Sequence, residues 1–367
     1  MIKSIELLNF KCFVKQRFEL APLTVLAGIN GVGKSTLIQS LLVLRQSYKE
    51  RTGNSLQAIV LNGQFGTLGS FKDVLCEDAT SDDVEIGIET STATERLKFY
   101  NDFGNLRNSI SDSHQLFSES LFGDRFHYVA ADRHGPGMYF RTSIQDVIRH
   151  GQIGVRGEFA PHFLSVYGSS YEVSETMRLS EADGPNLLQQ LEAWMSQVSP
   201  GVRLHVAEQS AAIGLDIVTL RYSYVFQKDV SNQFRSENVG FGVTYSLAVF
   251  VAILASKAGD LVIIENPEAH LHPRGQFMIG KLLALAANTG IQLIVETHSD
   301  HILNGVRVAM KEKKISKGDV VFFFFNRENA TSTRPTVHKL IPDGDGRFAE
   351  WPAGFFDEWD KALGKLI

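Results

Sequence analysis

The stretch Gly28-Ile29-Asn30-Gly31-Val32-Gly33-Lys34-Ser35-Thr36 lies between an apolar, strand-like segment, residues 23–27, and an amphipathic, helix-like segment, residues 37–45. Its glycines let the backbone curl until successive N–H groups point inward around an anion, and the start of a helix adds its positive dipole end. With these flanks the pattern predicts a phosphate-binding P-loop. We therefore expect a protein that binds a nucleoside triphosphate.

Individual residues of this loop have separate expected roles. Lys34 is expected to reach the β- and γ-phosphates, and Ser35 to ligate Mg²⁺. The remaining nucleotide contacts are assigned to loop and first-turn residues, which are Asn30, Gly31, Gly33 and Thr36. The alternative interpretation is a glycine-rich turn before a helix, and the flanking patterns disfavour it.

The amino-acid composition argues against several classes of protein. The chain has 367 residues, 44% of them hydrophobic, which is enough for a large core and two lobes. A net charge of −5 argues against an overall basic nucleic-acid-binding protein, although a local basic patch stays open. Two cysteines are too few for a disulfide framework or a thiolate metal site, and no apolar run is long enough to cross a membrane. We expect a cytoplasmic protein without membrane contact.

The last third of the chain alternates between helix and strand patterns. Helices are predicted at 243–257, 275–287 and 299–313, and strands at 261–265, 291–296 and 320–325. This alternation predicts an α/β fold with parallel strands. Alternation of apolar and polar residues in 2–8 and 18–20 predicts an opening antiparallel meander, and residues 84–90 and 97–100 form a second β-rich stretch.

A second candidate site follows the strand pattern Leu261-Val262-Ile263-Ile264, which ends in the carboxylate of Glu265. A buried parallel strand that presents an acid at its carboxyl end can hold Mg²⁺, because ligands gather at that edge of a sheet. We assign Glu265 as the Walker B ligand of Mg²⁺; a solvated acid at a strand end is the alternative. His270 and His272 could form a metal pair, but the neighbouring Pro273 favours a structural turn at a helix start.

These motifs together resemble the ABC-type ATPases of the RecF, OLD and SMC kind. Residues 9–13 resemble the first-strand pattern of that family, residues 28–36 its P-loop, residues 265–273 its Walker B and D-loop, and residues 297–299 its switch histidine. The C-terminal segment, with residues 343–346 and 351–356, is similar to small stand-alone bacterial members that carry an uncharacterised cap.

The resemblance implies a single two-lobed ABC-type ATPase domain over residues 1–367, with a mixed sheet flanked by helices. It places an inserted, partly helical signature lobe at 101–240 and a C-terminal cap at 326–367. About 230 residues separate Ser35 from Glu265, which leaves room for such a lobe.

Members of this family work as ATP-dependent homodimers, in which ATP lies between the P-loop of one subunit and the signature loop of the other. The candidate signature here is Asn238-Val239-Gly240-Phe241-Gly242. The resemblance implies nucleotide contacts from Asn238, Gly240 and Gly242, although the usual Leu-Ser-Gly-Gly-Gln is absent. A glycine turn before a core helix is the alternative.

The chain also departs from the family pattern at the position of the catalytic glutamate. Asn266 stands where the family has the glutamate that orients the attacking water, and an amide cannot accept that proton. General-base contributions are about 10²–10⁴-fold, so we expect slow hydrolysis. Glu268 is either a substitute base or a D-loop contact to the partner subunit. The resemblance assigns γ-phosphate sensing to His298, and a buried histidine at a strand end is the alternative.

Three further residues are weaker candidates for contacts with nucleotide, Mg²⁺ or a partner. Lys11 either contacts nucleotide or is a solvated strand lysine, and Gln64 is either the Q-loop ligand of Mg²⁺ or part of a plain glycine-rich loop. Arg133 either meets a phosphate or a partner, or is simply exposed.

The function implied by the resemblance is that of an ATP- and Mg²⁺-dependent sensor or regulator of a separately encoded effector, a nuclease in bacterial defence. We expect no C-terminal Toprim nuclease in the chain itself. The alternatives are a DNA-repair ATPase of the RecF kind that clamps DNA, and a scaffold that does not hydrolyse ATP.

Overall fold

The structure is a computed structural model that describes residues 1–50, 56, 59–102, 105–108, 116–210, 216–227, 229–327, 334–352, 354–356 and 358–366. The chain forms two compact units. Unit 1 comprises Met1–Phe126, Lys317–Asp343 and Arg347–Ile367, and unit 2 comprises His127–Ser316 and Gly344–Gly346. Within the described ranges, no helix combines the length and the apolar character that a membrane crossing requires.

The first part of unit 1 contains an antiparallel sheet and the P-loop strand and helix. Its elements are β1 (Ile2–Phe10), β2 (Phe13–Glu19), β3 (Leu23–Gly28), α1 (Lys34–Lys49), β4 (Asn62–Gly63), β5 (Gly66–Thr67), α2 (Phe71–Val74), β6 (Asp83–Thr90), β7 (Thr94–Asp102) and β8 (Asn105–Asn108). Five of the strands form the antiparallel sheet, in the order β2-β1-β6-β7-β8.

Unit 2 combines helices with an antiparallel and a parallel group of strands. Its elements are β9 (Phe126–Val129), β10 (Phe140–Arg141), α3 (Ala160–Tyr167), α4 (Leu187–Ser196), β11 (Val202–Ser210), β12 (Asp216–Phe226), β13 (Asp229–Val230), β14 (Phe234–Arg235), α5 (Phe241–Leu254), β15 (Leu261–Glu265), α6 (Pro273–Asn288), β16 (Gln292–Glu296) and α7 (Asp300–Lys311). Strands β15 and β16 are parallel, and their terminal residues Glu265 and Glu296 lie opposite each other.

The chain returns to unit 1 with β17 (Val320–Asn326), β18 (Thr336–Leu340) and α8 (Glu358–Leu366). Strand β17 pairs in parallel with β3 and antiparallel with β18, so the sheet is mixed. Gly28, the last residue of β3, has no room for a side chain, because a Cβ there would lie 2.1 Å from the Phe325 carbonyl oxygen. This close approach fixes the point where the P-loop leaves the sheet.

The predicted α/β class is confirmed. Helix α1 contacts β3 in unit 1, and α5 contacts β15 and α6 contacts β16 in unit 2, so helices flank the strands of each unit. The three helices predicted for the last third occur, at Phe241–Leu254, Pro273–Asn288 and Asp300–Lys311. The limits proposed for the signature lobe and the C-terminal cap stay predictions.

Candidate nucleotide-binding site

The P-loop of unit 1 has the geometry of an anion cradle. Gly31 and Gly33 have φ angles of 73° and 93°, in the left-handed region that favours glycine, and helix α1 begins directly afterwards at Lys34. A Cβ at Gly31 would meet no atom within 4 Å, so the backbone is openly accessible there. At Gly33 a Cβ would lie 2.4 Å from the sulfur of Cys12. The loop therefore requires glycine at Gly33 for space and conformation, and at Gly31 for conformation.

Lys34 lies folded against this loop. Its Nζ atom donates hydrogen bonds to the carbonyl oxygens of Gly28 at 3.0 Å and Ile29 at 2.6 Å, and the residue is 3% exposed. The first residue of α1 thus holds its ammonium group at the mouth of the P-loop. Ser35 follows it in the first turn, and Thr36 contacts the Cys12 sulfur through its hydroxyl at 3.5 Å. Asn30 is exposed at the loop tip.

The two weaker candidates of unit 1 have defined contacts. Lys11 lies in the turn between β1 and β2, and its Nζ donates to Gln39 Oε1 of α1 at 2.7 Å. Burial lowers the pKa of Lys11. Gln64 lies exposed at the tip of the β4–β5 hairpin and accepts a hydrogen bond from Lys49 at 3.1 Å. Their proposed nucleotide and Mg²⁺ contacts stay predictions.

Arg327, at the end of β17, was not singled out from the sequence. Its Nη2 donates to the carbonyl oxygen of Gly31 in the P-loop at 3.0 Å. The parallel pairing of β17 with β3 brings the two strand ends together. A basic residue two positions after a run of four phenylalanines was the available signal.

In unit 2, Glu265 ends β15 in a largely buried environment. Its Oε2 accepts a hydrogen bond from the backbone N–H of Ala131 at 3.2 Å, and the Tyr128 hydroxyl is a second partner. Burial raises the pKa of the Glu265 carboxyl, and these hydrogen bonds and the nearby Arg133 partly oppose the shift. Burial next to the same carboxylate raises the pKa of Tyr128.

Arg133 contradicts the expectation that it is simply exposed. The residue is 2% exposed, and its guanidinium donates to the carbonyl oxygens of Glu265 and Asn266, both at 2.7 Å. The guanidinium carbon lies 4.5 Å from the ring centroid of Tyr245 in α5, and the Tyr245 hydroxyl accepts a hydrogen bond from the Arg133 backbone N–H at 3.0 Å. Arg133 therefore connects the end of β15 with α5.

Asn266 occupies a strained position after Glu265. Its φ angle is 45°, a conformation that asparagine tolerates better than most residues, and its side-chain Oδ1 is buried without a hydrogen-bond partner among the described residues. An unsatisfied buried acceptor costs about 1–3 kcal/mol. Both features lower the free energy of unfolding of the protein, and strain of this kind is typical of functional sites.

Glu268 joins the segment after β15 to the segment after β16. Its Oε2 accepts from the Thr297 hydroxyl at 2.8 Å, and its Oε1 accepts from the backbone N–H of His298 at 2.6 Å. Burial raises the pKa of this carboxyl, and the two hydrogen bonds oppose the shift. His298 itself is exposed, so the alternative of a buried histidine is wrong.

The candidate signature loop packs on the turn that follows Asn266. Gly240 is the residue before α5, and a Cβ on Gly242 would lie 2.2 Å from the carbonyl oxygen of His270. The ring of Phe241 packs 4.7 Å from that of His270, while Asn238 is exposed. A glycine at 242 is thus explained by close packing within unit 2, and a nucleotide contact by this loop stays a prediction.

Both histidines of the segment after β15 have contacts within unit 2. His272 precedes α6, and its Nδ1 accepts a hydrogen bond from the Arg274 backbone N–H at 3.3 Å, with Pro273 at the first helical position. His270 lies between the rings of Phe241 and Tyr245. No group of three or more His, Cys, Asp or Glu side chains that could hold a metal occurs in the described part of the chain.

Comparison with known proteins identifies the family. Residues 23–304 match the family described as "AAA domain, putative AbiEii toxin, Type IV TA system". The chain belongs to this family. Residues 315–366 match a second family, described as "Protein of unknown function (DUF3696)". The chain is also 25% identical to the OLD nuclease of Thermus scotoductus over an alignment of 382 positions, which covers 95% of this chain and 68% of that protein.

Solved structures with the same fold are Smc heads. One, a crystal structure of an Smc head bound to the C-terminal winged-helix domain of ScpA, has a TM-score of 0.53 at 14% identity and covers 93% of this chain and 98% of its own. Another, an Smc head with an extended coiled coil bound to the C-terminal domain of ScpA from Pyrococcus furiosus, has a TM-score of 0.51 at 12% identity and covers 100% and 99%. The predicted RecF, OLD and SMC-like ABC-type ATPase family is confirmed.

Proposed function

We propose that this protein binds MgATP, hydrolyses it slowly, dimerises in the ATP state and thereby controls a separately encoded effector protein. Family membership supports an ATPase of the OLD and SMC kind. Binding of ATP, binding of Mg²⁺ and slow hydrolysis are proposed from individual residues of the two units.

The observation that carries nucleotide binding is the P-loop itself. Backbone at Gly31 is open, Lys34 is held at the loop mouth by two carbonyl oxygens, and α1 begins at that residue. A helix start combined with a glycine cradle and a lysine fits a triphosphate. We assign phosphate contacts to this loop and its first turn.

The donor set also fits Mg²⁺. The ion prefers hard oxygen ligands and takes only one or two from the protein, with substrate phosphates and water supplying the others. The Ser35 hydroxyl and the Glu265 carboxylate are the oxygen ligands that we propose. When bound, the ion would neutralise charge on the phosphates.

Slow hydrolysis is proposed from Asn266 and Glu268. The amide of Asn266 cannot take a proton from water. The Glu268 carboxylate already accepts two hydrogen bonds, from Thr297 and His298, and burial brings its pKa closer to that of a useful base. The backbone N–H of Glu268 itself is a third hydrogen-bond donor to this carboxylate. A carboxylate has about four acceptor sites, so these three contacts leave capacity for a water molecule. Glu268 is therefore our candidate for residual hydrolysis.

Dimerisation and effector control are proposed from the family resemblance and from the exposed candidate signature loop. Asn238 and Gly240 are exposed, and the side chain of Phe241 is 47% exposed beside them. A loop with accessible glycine backbone at a helix start is suited to approach a γ-phosphate of a second subunit. The proposed effector is a nuclease in bacterial defence.

Sedimentation of the purified protein with MgATP, with MgADP and without nucleotide tests the proposal. We expect a dimer with MgATP only, and a monomer in all three conditions for Lys34→Ala. A mass that does not depend on nucleotide would contradict the switch. An ATPase turnover in the ordinary enzyme range of about 1–10 s⁻¹ would contradict slow hydrolysis independently.

A further inference from the structure

Helices α6 and α7 pack backbone against backbone in unit 2. A Cβ on Gly280 of α6 would lie 2.2 Å from the carbonyl oxygen of Ile302 in α7. In the reverse direction, a Cβ on Gly305 of α7 would lie 2.2 Å from the carbonyl oxygen of Phe277 in α6. Contacts this close leave no space for one helix to slide independently of the other, because packed interiors have low compressibility and transmit strain. The two helices therefore form one rigid pair.

Polar contacts join the same two helices near both ends of α7. The Ser299 hydroxyl, at the N-cap of α7, donates to Gln276 Oε1 of α6 at 2.6 Å. Glu312 directly follows α7, and its carboxylate lies 2.9 Å from Lys281 Nζ of α6. The candidate sensor His298 immediately precedes this N-cap, so the position of the helix pair sets the position of the His298 backbone.

A short stretch of the C-terminal region, Gly344–Gly346, belongs to unit 2 and contacts α7 there. A Cβ on Gly346 would lie 2.4 Å from the carbonyl oxygen of Arg307 in α7. The Arg307 Nε in turn donates to the Gly346 carbonyl oxygen at 2.6 Å. Beyond the end of the helix, Lys313 Nζ donates to the carbonyl oxygen of Gly344 at 2.8 Å. Backbone and side chain of one helical residue thus meet the same glycine.

Position 346 requires glycine for conformation as well as for space. Its φ angle is 73°, in the left-handed region that residues with a Cβ rarely adopt. Gly318, an exposed residue between α7 and β17, differs, because a Cβ there would meet no atom of the described chain within 4 Å, its sequence neighbours aside. A side chain at position 346 must therefore push the stretch away from α7 or displace the helix, whereas a side chain at position 318 fits.

The contact lies close enough to the candidate sensor to affect its position. Arg307 follows His298 by nine residues, which is about 13 Å along a helix at about 1.5 Å per residue. Coupling between sites is carried by packed, rigid elements of this kind. A shift of about 1 Å in a catalytic group can lower a rate by about 100-fold. Fixing α7 at Arg307 therefore helps to fix His298.

We propose that Gly344–Gly346 position helix α7, and through it His298, for ATP hydrolysis. This inference rests on the proposed function, because His298 needs a bound triphosphate to act on. It assigns a task to a stretch of residues 315–366, which match the family described as of unknown function. Gly346 and Arg307 are positioning residues, since they act through the helix.

Gly346→Ala tests the proposal, with Gly318→Ala as the matched glycine control. Calorimetry with MgATP measures the Kd, and phosphate release under single-turnover conditions measures the hydrolysis rate. For Gly346→Ala we expect hydrolysis at least about tenfold slower and a Kd within about twofold of the wild type, because α7 moves while the P-loop of unit 1 is untouched. For the exposed Gly318→Ala, both quantities should stay within about twofold of the wild type.

Hydrogen exchange supplies a readout that a change confined to the C-terminal region would not move. In Gly346→Ala, the amides of α7 around Ile302 and Gly305 should exchange faster than in the wild type, because a contact that fixes the helix is weakened. In Gly318→Ala they should exchange as in the wild type.

Several results would overturn the proposal. These are an unchanged hydrolysis rate in Gly346→Ala, an equal loss of rate in Gly318→Ala, a rise in Kd as large as the loss of rate, or unchanged exchange in α7. A wild type that does not bind MgATP would instead overturn the proposed function, and this inference with it.

Thermal unfolding checks that the variants are folded. Should Gly346→Ala fail to fold, Arg307→Gln/Lys313→Gln removes the side-chain hydrogen bonds to the C-terminal stretch without adding atoms at the contact. We expect hydrolysis by this double variant to be at least about threefold slower at an unchanged Kd, and a rate equal to that of the wild type would overturn the proposal.

Discussion

The carboxylate of Glu268 accepts a hydrogen bond from the backbone N–H of His298 at 2.6 Å, and its other oxygen accepts one from the Thr297 hydroxyl at 2.8 Å. The two segments that follow β15 and β16 are therefore held together by one side chain. Charge-assisted hydrogen bonds of this kind are about twice as strong as neutral ones. A displacement of the candidate sensor His298 would consequently be transmitted to the turn that contains Glu268.

The first prediction concerns the P-loop lysine. Lys34→Ala removes the ammonium group held at the loop mouth, so we expect MgATP binding to be abolished while the fold is retained. Titration calorimetry measures the binding, and circular dichroism checks the fold. Lys72→Ala, which replaces an exposed lysine of α2, is the control and should bind as the wild type does. Equal affinities of Lys34→Ala and the wild type would refute the P-loop assignment.

Turnover tests the assignment of the catalytic base. If Glu268 supports residual hydrolysis, Glu268→Gln should abolish it, and Asn266→Glu should raise turnover by about 10²-fold by restoring a carboxylate. Phosphate release under single-turnover conditions measures both. Because the new glutamate must adopt a φ angle of 45°, its unfolding temperature has to be determined as well. If neither variant changes the rate, the base lies elsewhere.

The pKa of Glu268 leads to a prediction about stability. Burial raises it above the ordinary 4.5, so the folded protein keeps this proton to higher pH than the unfolded chain does. Stability from this group is therefore lost as pH rises from about 4.5 towards the folded-state pKa. Relative to wild type, Glu268→Gln should gain free energy of unfolding across that window in urea titrations. A difference between Glu268→Gln and wild type that does not change with pH in this window would contradict the prediction.

Replacement of Arg133 should separate nucleotide binding from hydrolysis. Lysine cannot reproduce the planar fork that holds the carbonyl oxygens of Glu265 and Asn266. For Arg133→Lys we expect a loss of about 2–4 kcal/mol in the free energy of unfolding and about 100-fold lower turnover. Because the P-loop is untouched, ATP affinity should change less than fivefold. The exposed Arg156→Lys is the control; a matching loss there would show a nonspecific effect.

The buried arginine of α1 should be dispensable for stability. Arg45 is 6% exposed, its Nε and Nη1 have no hydrogen-bond partner in the part of the chain that the structure describes, and burial lowers its pKa to about 10. The ring of Phe126 at 5.3 Å compensates only part of this cost. We expect Arg45→Met to raise the free energy of unfolding by about 1–2 kcal/mol in urea titrations near neutral pH. The gain should shrink above about pH 10, where the folded protein begins to lose the proton. A destabilised Arg45→Met variant would show that the guanidinium makes a favourable interaction.

Local pattern alone predicted the elements that carry the motifs. The P-loop between β3 and α1, the β15 strand that ends at Glu265, and helices α5 to α7 occur where the sequence placed them. Apolar periodicity and glycine content reflect constraints within a few residues, such as the positive φ angles of Gly31 and Gly33. The family could be predicted for the same reason, because its motifs are local.

Contacts between distant residues were decided only by the tertiary structure. Arg133 donates to Glu265 across 132 positions of sequence, and no local pattern distinguishes it from an exposed arginine in a glycine-rich turn. Likewise, Arg221 of β12 lies opposite Arg235 of β14 only because of the register in which these two strands pair. A one-residue shift in register would move a side chain to the other face of the sheet. Sequence by itself thus determined the strands, helices and loop chemistry, whereas long-range pairing determined which polar groups meet.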